Sequence, residues 1–344
     1  MNTIKRSAFG AIAVVSAGLL LAACGEAPEA TPAPADGGDA SAPAEDTDAA
    51  PASDFLPCIV SDFGGFDDKS FNQLSLEGVE EAANELGVEF KQVESNAETD
   101  YAPNLNALVA QGCDAIASVG FALAPATIDT ANANPDIDFI LIDDAADADF
   151  DGKADAETIK PLLYDTAQAA FLAGYLSAGY SEAGKVGTFG GQEFPTVTIF
   201  MDGFEAGPEA KTVAQNIIDQ GVDVLLPVGG PIYQSALQAI KEEDRDIALI
   251  GADADLFESD PTTADYVLTS ILKNMHLSTY EAVMASANGE FDPTAYVGTL
   301  ENDGVGIADL HNFSDKVDPA LLDEVDALKA QIISGELEVA SYLG

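Results

Sequence analysis

Carboxylates, glycines and a few aromatic rings stand at the ends of short apolar runs along this chain. The runs close on Asp62, on Gly120 and Phe121, on Asp143, on Gly229 and Gly230, and on Asp253. An open parallel sheet binds its ligand just beyond the carboxyl ends of its strands, where such residues would gather. Glycine lets backbone approach a ligand, and a carboxylate accepts hydrogen bonds from hydroxyls. Phe71 and Phe121 offer flat faces for stacking, and Lys273 is one of few cations in the chain. As a set these residues suit an uncharged, hydroxyl-bearing guest with a flat face. Singly, each acid is equally at home as a solvated loop charge, because 60 Asp and Glu face only 13 Lys and Arg.

Catalytic readings find less support. No Gly-x-Gly-x-x-Gly follows the first apolar run, and no phosphate loop or Gly-x-Ser-x-Gly elbow is present. His276 and His311 lie far apart with no ligand spacing, so neither a metal nor a cofactor is expected. Asp147, Asp149, Asp151 and Gly152 match the first half of a calcium loop, but position twelve is Thr158 where a bidentate Glu is needed. An acidic surface turn is the simpler reading.

Lys5 and Arg6, an apolar run, and Leu21-Ala22-Ala23-Cys24 form an export signal ending in a lipobox. Residues 1–23 are expected to be removed, leaving Cys24 to carry lipid and tether the protein outside the membrane. The apolar run is short for a membrane span, which needs about 20 residues. Residues 24–54 lack large apolar side chains and read as a disordered tether reaching roughly 30 Å. A net charge of −47 repels nucleic acid and anionic headgroups. Cys58 and Cys113 remain as a pair near the starts of two neighbouring strands in an oxidising compartment. They form either a disulfide or two small buried thiols.

From residue 55 strands and helices alternate. Strands are predicted at 57–62, 88–93, 115–119 and 139–142, with helices at 70–86, 103–111 and 124–133. Ser70 and Gln73 fit a capping box at the start of the first helix. The rhythm restarts after Asp165 with a helix over 168–180 and strands at 186–189, 222–226, 248–250 and 266–269. Helices follow over 235–242 and 272–287, then a strand at 305–307 and a helix over 319–333. This is an α/β pattern of two doubly wound parallel-sheet lobes with a cleft between them. The expected division is 55–165 plus 268–288 for one lobe and 166–267 plus 289–344 for the other.

The run Ser61-Asp62-Phe63-Gly64-Gly65-Phe66-Asp67-Asp68-Lys69-Ser70-Phe71-Asn72-Gln73 resembles the opening of the basic membrane protein family. Val119-Gly120-Phe121, Phe171-Leu172-Ala173-Gly174, Val228-Gly229-Gly230, Gly251-Ala252-Asp253-Ala254-Asp255 and Leu268-Thr269-Ser270-Ile271-Leu272-Lys273 extend the likeness over roughly residues 57 to 310. That family comprises lipoproteins serving as substrate-binding subunits of ABC importers, some of them nucleoside-binding. The resemblance implies a type I periplasmic-binding-protein fold with three crossovers between the lobes. It also implies that Phe71 stacks on a base, that Asp62 and Asn72 meet polar groups nearby, and that Asp253 and Lys273 hold ribose hydroxyls. One departure is expected. Family members carry a strand between the positions of Phe189 and Val222, where this chain shows only helical segments broken at Gly207-Pro208. A second stacking aromatic has two candidates, Phe194 and Tyr233.

The resulting expectation is a lipid-anchored extracytoplasmic receptor for a nucleoside, with a purine nucleoside favoured. It would deliver its guest to an ABC permease and perform no chemistry. A sugar receptor of the same fold and an extracytoplasmic enzyme acting on nucleosides are the alternatives.

Overall fold

The structure is a computed structural model and describes residues 54–148, 151–191, 195–200, 210–243, 245–341 and 343. The signal, Cys24 and the tether lie outside the described residues. The first stretch runs β1 (Pro57–Val60), α1 (Phe71–Leu86), β2 (Lys91–Val93), α2 (Tyr101–Ala110), β3 (Ala115–Val119), α3 (Ala124–Ala133), β4 (Asp138–Ile142) and β5 (Ile159–Tyr164). The second runs α4 (Thr166–Tyr180), β6 (Val186–Gly190), α5 (Pro195–Thr198), α6 (Ala210–Asp219), β7 (Val224–Val228), α7 (Ile232–Lys241), β8 (Ala248–Asp253), α8 (Leu256–Ser259) and β9 (Val267–Lys273). The chain ends with α9 (Met275–Ala287), β10 (Tyr296–Gly298), β11 (Val305–Ile307) and α10 (Pro319–Ile333).

Two sheets result. The first has the order β10-β5-β4-β3-β1-β2 and is parallel throughout; the second has the order β11-β9-β8-β7-β6, with β11 antiparallel to β9. Both are built on strands buried along nearly their whole length, such as Ile59, Ile116, Ile140, Leu225 and Leu249. Strands buried on both faces read as continuous apolar runs, which is why β3 and β4 stand out in the sequence. The chain crosses between sheets after β5, after β9 and after β10, giving three crossovers.

The expected lobe boundaries need correction. Strand β9 belongs to the second sheet although 268–288 was assigned to the first lobe, and β10 belongs to the first although 289–344 was assigned to the second. Helix α9 does return to the first lobe and packs on α1. Gly78 makes that contact possible, because a Cβ there would sit 2.4 Å from the His276 carbonyl. Residues Leu272 and Lys273 are the end of a strand rather than the start of a helix. Strand β5 holds Pro161 and was not expected. The Asp143 amide donates to the Leu162 carbonyl, so the nitrogen of Pro161 points away from β4. On that other side β10 begins pairing only at Leu162, and no ladder bond is lost.

Between β6 and β7 the described residues contain helices α5 and α6 and no strand, so β6 is an edge of the second sheet. The first sheet keeps the full 2-1-3-4-5 order, and among the described residues no strand flanks β6 in the second. Cys58 and Cys113 are bonded, with Cα atoms 6.0 Å apart, and tie β1 to the start of β3.

Candidate functional site

The loop from β1 to α1 builds one wall. Asp68 anchors it: its carboxylate accepts from the Ser70, Asn72 and Gln73 amides at 3.0, 2.9 and 3.2 Å and from Asn72 Nδ2 at 3.0 Å. These are the free amides of a helix N-terminus, where a carboxylate is favoured. The expected capping box is therefore not formed. Asp68 takes that role, and the Ser70 hydroxyl donates to the Ala252 carbonyl at the end of β8, 2.9 Å away, across to the second lobe. Asn72 Nδ2 also donates to Asp62 Oδ1 at 2.9 Å, and the Gly64 amide donates to the same oxygen at 2.8 Å. Asn72 is fully committed to holding Asp62 and Asp68. Burial pushes the Asp62 carboxyl up, against the bonds from Gly64 and Asn72.

Gly120 ends β3 beside this loop. A Cβ on it would lie 3.4 Å from both Asp62 Oδ2 and Phe71 Cε1, and its φ of 99° is one that side chains rarely adopt. Phe71, Asp62 and Gly120 are thus immediate neighbours. Half-buried Phe121 opens the turn that follows.

The lobes meet at Lys273. Its Nζ donates to Asp143 Oδ2 at 2.8 Å, from the other sheet, and lies 3.5 Å from Asp253 Oδ1. Lys273, Asp143 and Asp253 are 3%, 3% and 5% exposed, which places a two-to-one excess of carboxylates out of water. The two aspartates match each other: Asp143 directly follows β4, Asp253 is the last residue of β8, and each is left-handed, with φ of 67° and 68°. Aspartate tolerates that region better than most residues, and backbone strain of this kind concentrates at functional sites. The rings of Phe200, Phe71 and Tyr164 surround the ammonium at 4.9, 5.5 and 5.8 Å.

Burial pushes the Asp253 carboxyl up to about 6, with Lys273 opposing and Asp143 and Asp68 adding to the rise. Asp143 is raised by burial as well, against the pull of Lys273. Burial alone would lower the Lys273 ammonium, but the two carboxylates outweigh it and hold it above its ordinary value. Asp253 Oδ1 has no hydrogen-bond partner, since the 3.5 Å approach of Lys273 is an ion pair only. A buried acceptor left open in this way fits a hydroxyl donor from a guest.

Phe71, Asp62, Gly120, Asp143, Asp253 and Lys273 are therefore brought together, with Asn72 behind them. Gly229 and Gly230 follow β7 with φ of 129° and 49°, and a Cβ on Gly230 would meet open space. Of the two candidates for a second aromatic, Phe194 lies outside the described residues. Tyr233 is buried and donates to Asp260 Oδ2 at 2.9 Å. Phe200 is the ring that lies nearest Lys273, at 4.9 Å, and no periodicity in its short segment marks it. Asp68 was missed too, although an acid just ahead of Ser70 is a helix-start signal. Asp147 uses its carboxylate on the Asp151 and Gly152 amides, at 3.0 and 2.8 Å. Among the described residues no three His, Cys, Asp or Glu converge as metal ligands, and Asp149 lies outside them. His276 pairs with Glu81 at 2.6 Å and His311 with Asp255 at 2.7 Å.

Two sheets with aromatic, cationic and carboxylate groups facing each other across a hinge define a solute receptor. The family described as ABC transporter substrate-binding protein PnrA-like (Bmp) matches residues 57–210 and 208–341, and the chain belongs to it. The join between the two matches falls in the stretch between β6 and β7. The chain is 26% identical to the ABC transporter nucleoside-binding protein BmpA of Lactococcus lactis subsp. cremoris, over 84% of this chain and 90% of the relative. It is 25% identical to a CD4+ T-cell-stimulating antigen of Listeria innocua, covering 95% and 96%. It also matches a solved structure of ABC transporter system solute-binding proteins from Aeropyrum pernix K1, with TM-score 0.73, 21% identity and coverage of 84% and 94%. The fold is that of type I periplasmic solute-binding proteins. Family and fold are those of substrate-binding proteins, so the enzyme alternative is set aside. Such a protein serves an ABC transporter outside the cytoplasm and takes a small-molecule ligand.

Proposed function

We propose that this chain captures a nucleoside, of the purine class by preference, between its two lobes and presents it to an ABC permease. The observation that carries this reading is the meeting in one buried place of Phe71, Lys273 and an Asp253 carboxylate whose Oδ1 has no hydrogen-bond donor. Phe71 and Phe200 supply faces for a base, whose stacking is worth about 1–3 kcal/mol. Asp253 and Asp143 accept from ribose hydroxyls, and Lys273 orients both acids. Asp62 offers a second acceptor on the base side. The excess of buried carboxylate disfavours anionic guests such as nucleotides. The nucleoside-binding relative from Lactococcus supports the same ligand class.

The proposal includes a lipid anchor at Cys24 after removal of residues 1–23, with residues 24–54 as the tether on the outer face of the cell membrane. Loss of lipid labelling in Cys24→Ser tests that part. A thermal-shift screen over nucleosides, free bases and sugars tests the ligand. A ligand at a hundred times its dissociation constant stabilises the native state by about 2.7 kcal/mol. Melting shifts with purine nucleosides are expected. Shifts with sugars and none with nucleosides would favour the sugar receptor instead.

A further inference from the structure

The interlobe cluster has one negative charge more than its own cation balances. The titratable groups that face Asp253 are Lys273 from β9, Asp143 from the turn after β4, Asp68 from the loop before α1 and Tyr164 from β5. Asp68 is satisfied by three amides and Asn72. The Tyr164 hydroxyl is engaged with Ser278 Oγ at 2.6 Å. Lys273 directs its hydrogen bond to Asp143, leaving Asp253 Oδ1 with no donor. A buried carboxylate with one oxygen lacking a donor favours its protonated form.

A hollow of about 670 Å³ reaches Asp253 and Lys273 between α1, α4, β11 and α10, bordered by Leu74, Leu176, Asp303 and Lys329. It gives a proton on Asp253 a way to solvent that does not pass the stacking rings.

We propose that in acidic surroundings the ligand-free site stores a proton on Asp253 and releases it to solvent on capture, when guest hydroxyls donate to the freed carboxylate. The balance is simple. The acid O–H breaks, its proton leaves as a hydronium ion, and the carboxylate accepts hydrogen bonds from the guest while Lys273 stays charged. This rests on the reading of the guest as a neutral hydroxylated molecule. Capture then weakens as the surroundings acidify, because the guest competes with protons for one carboxylate.

Two arms test it on the full chain. First, the ligand-free protein and its Asp253→Asn variant are melted from about pH 4.5 to about pH 7.5. The raised acid is protonated in the folded state where the unfolded chain has already let its proton go. Wild type should therefore lose stability relative to the variant as pH rises toward and through about 6. A difference that stays constant with pH overturns the proposal whether or not a nucleoside binds. Second, inosine is titrated calorimetrically in buffers of different ionisation enthalpy. Release of close to one proton is expected at about pH 5 and close to none at about pH 7.5, with affinity rising toward tenfold per pH unit below about pH 6. Proton uptake, or no exchange at the acid end, overturns it. Inosine that does not bind, alongside a pH-dependent first arm, refutes the nucleoside reading and the release step while a protonated empty site stands.

Discussion

Replacing Lys273 by Met keeps most of the side chain's volume and removes the one cation between Asp143 and Asp253. In the native protein the ammonium lies 2.8 Å from one carboxylate and 3.5 Å from the other, at 2% side-chain exposure. Removing one partner of a buried ion pair costs about 3–5 kcal/mol, because the remaining charge is left uncompensated. For a chain of this size that is a fall in melting temperature on the order of 10 °C. The cost depends on pH with a definite sign. Both aspartates are already raised by burial, and losing the lysine raises them further. Protonated acids need no cation, so the gap between variant and wild type should be widest at neutral pH and close as pH falls. Adding Asp143→Asn and Asp253→Asn to Lys273→Met should recover much of the loss. Calorimetric melts at about pH 7 and pH 4.5 measure all of this. A single variant that melts within about 2 °C of wild type at both values would refute the charge balance described for the site.

Phe71→Ala should weaken nucleoside binding by about 1–3 kcal/mol, roughly fivefold to 150-fold, in a calorimetric titration. Unchanged affinity would move the base elsewhere. Breaking the Cys58–Cys113 bridge by paired serines opens a loop with a sequence separation of 55 and should cost about 4 kcal/mol in denaturant melts. A negligible change would mean that the packing of β1 on β3 needs no staple. Ser70→Ala removes the 2.9 Å bond to Ala252 and should disfavour the closed form by about 1 kcal/mol. Small-angle scattering of the ligand-free variant should show a larger radius of gyration than wild type.

What could be read from the sequence depended on how local its causes are. Helix α3, strand β3 and helix α10 matched their expected limits, because apolar pattern and end signals agree there. The strand-end rule also located Asp143 just past β4 and Asp253 at the end of β8, since both are fixed by where an apolar run stops. Strand β5 escaped because Lys160 and Pro161 break its run, and its reason to exist is the ladder it joins on both sides. Lys273 was misplaced on a helix because Leu272 and its successors continue an apolar helical pattern; pairing with β8 and β11 decides otherwise. Phe200 was invisible because what selects it is a cation from another strand. Ser70 fitted a local capping motif, yet its hydroxyl found a partner 182 residues away while Asp68 did the capping. Tertiary competition of that kind leaves no trace in spacing.

The bridge between Cys58 and Cys113 and the edge strand β6 fall in opposite lobes of the molecule. One half is riveted and complete, and the other, among the described residues, ends in a bare margin without covalent reinforcement. Wear therefore has a direction. Under heat or proteolytic attack the lobe of β6 is expected to give way before the one bearing the Asp62–Asn72 wall, which the order of cleavage in limited proteolysis would show.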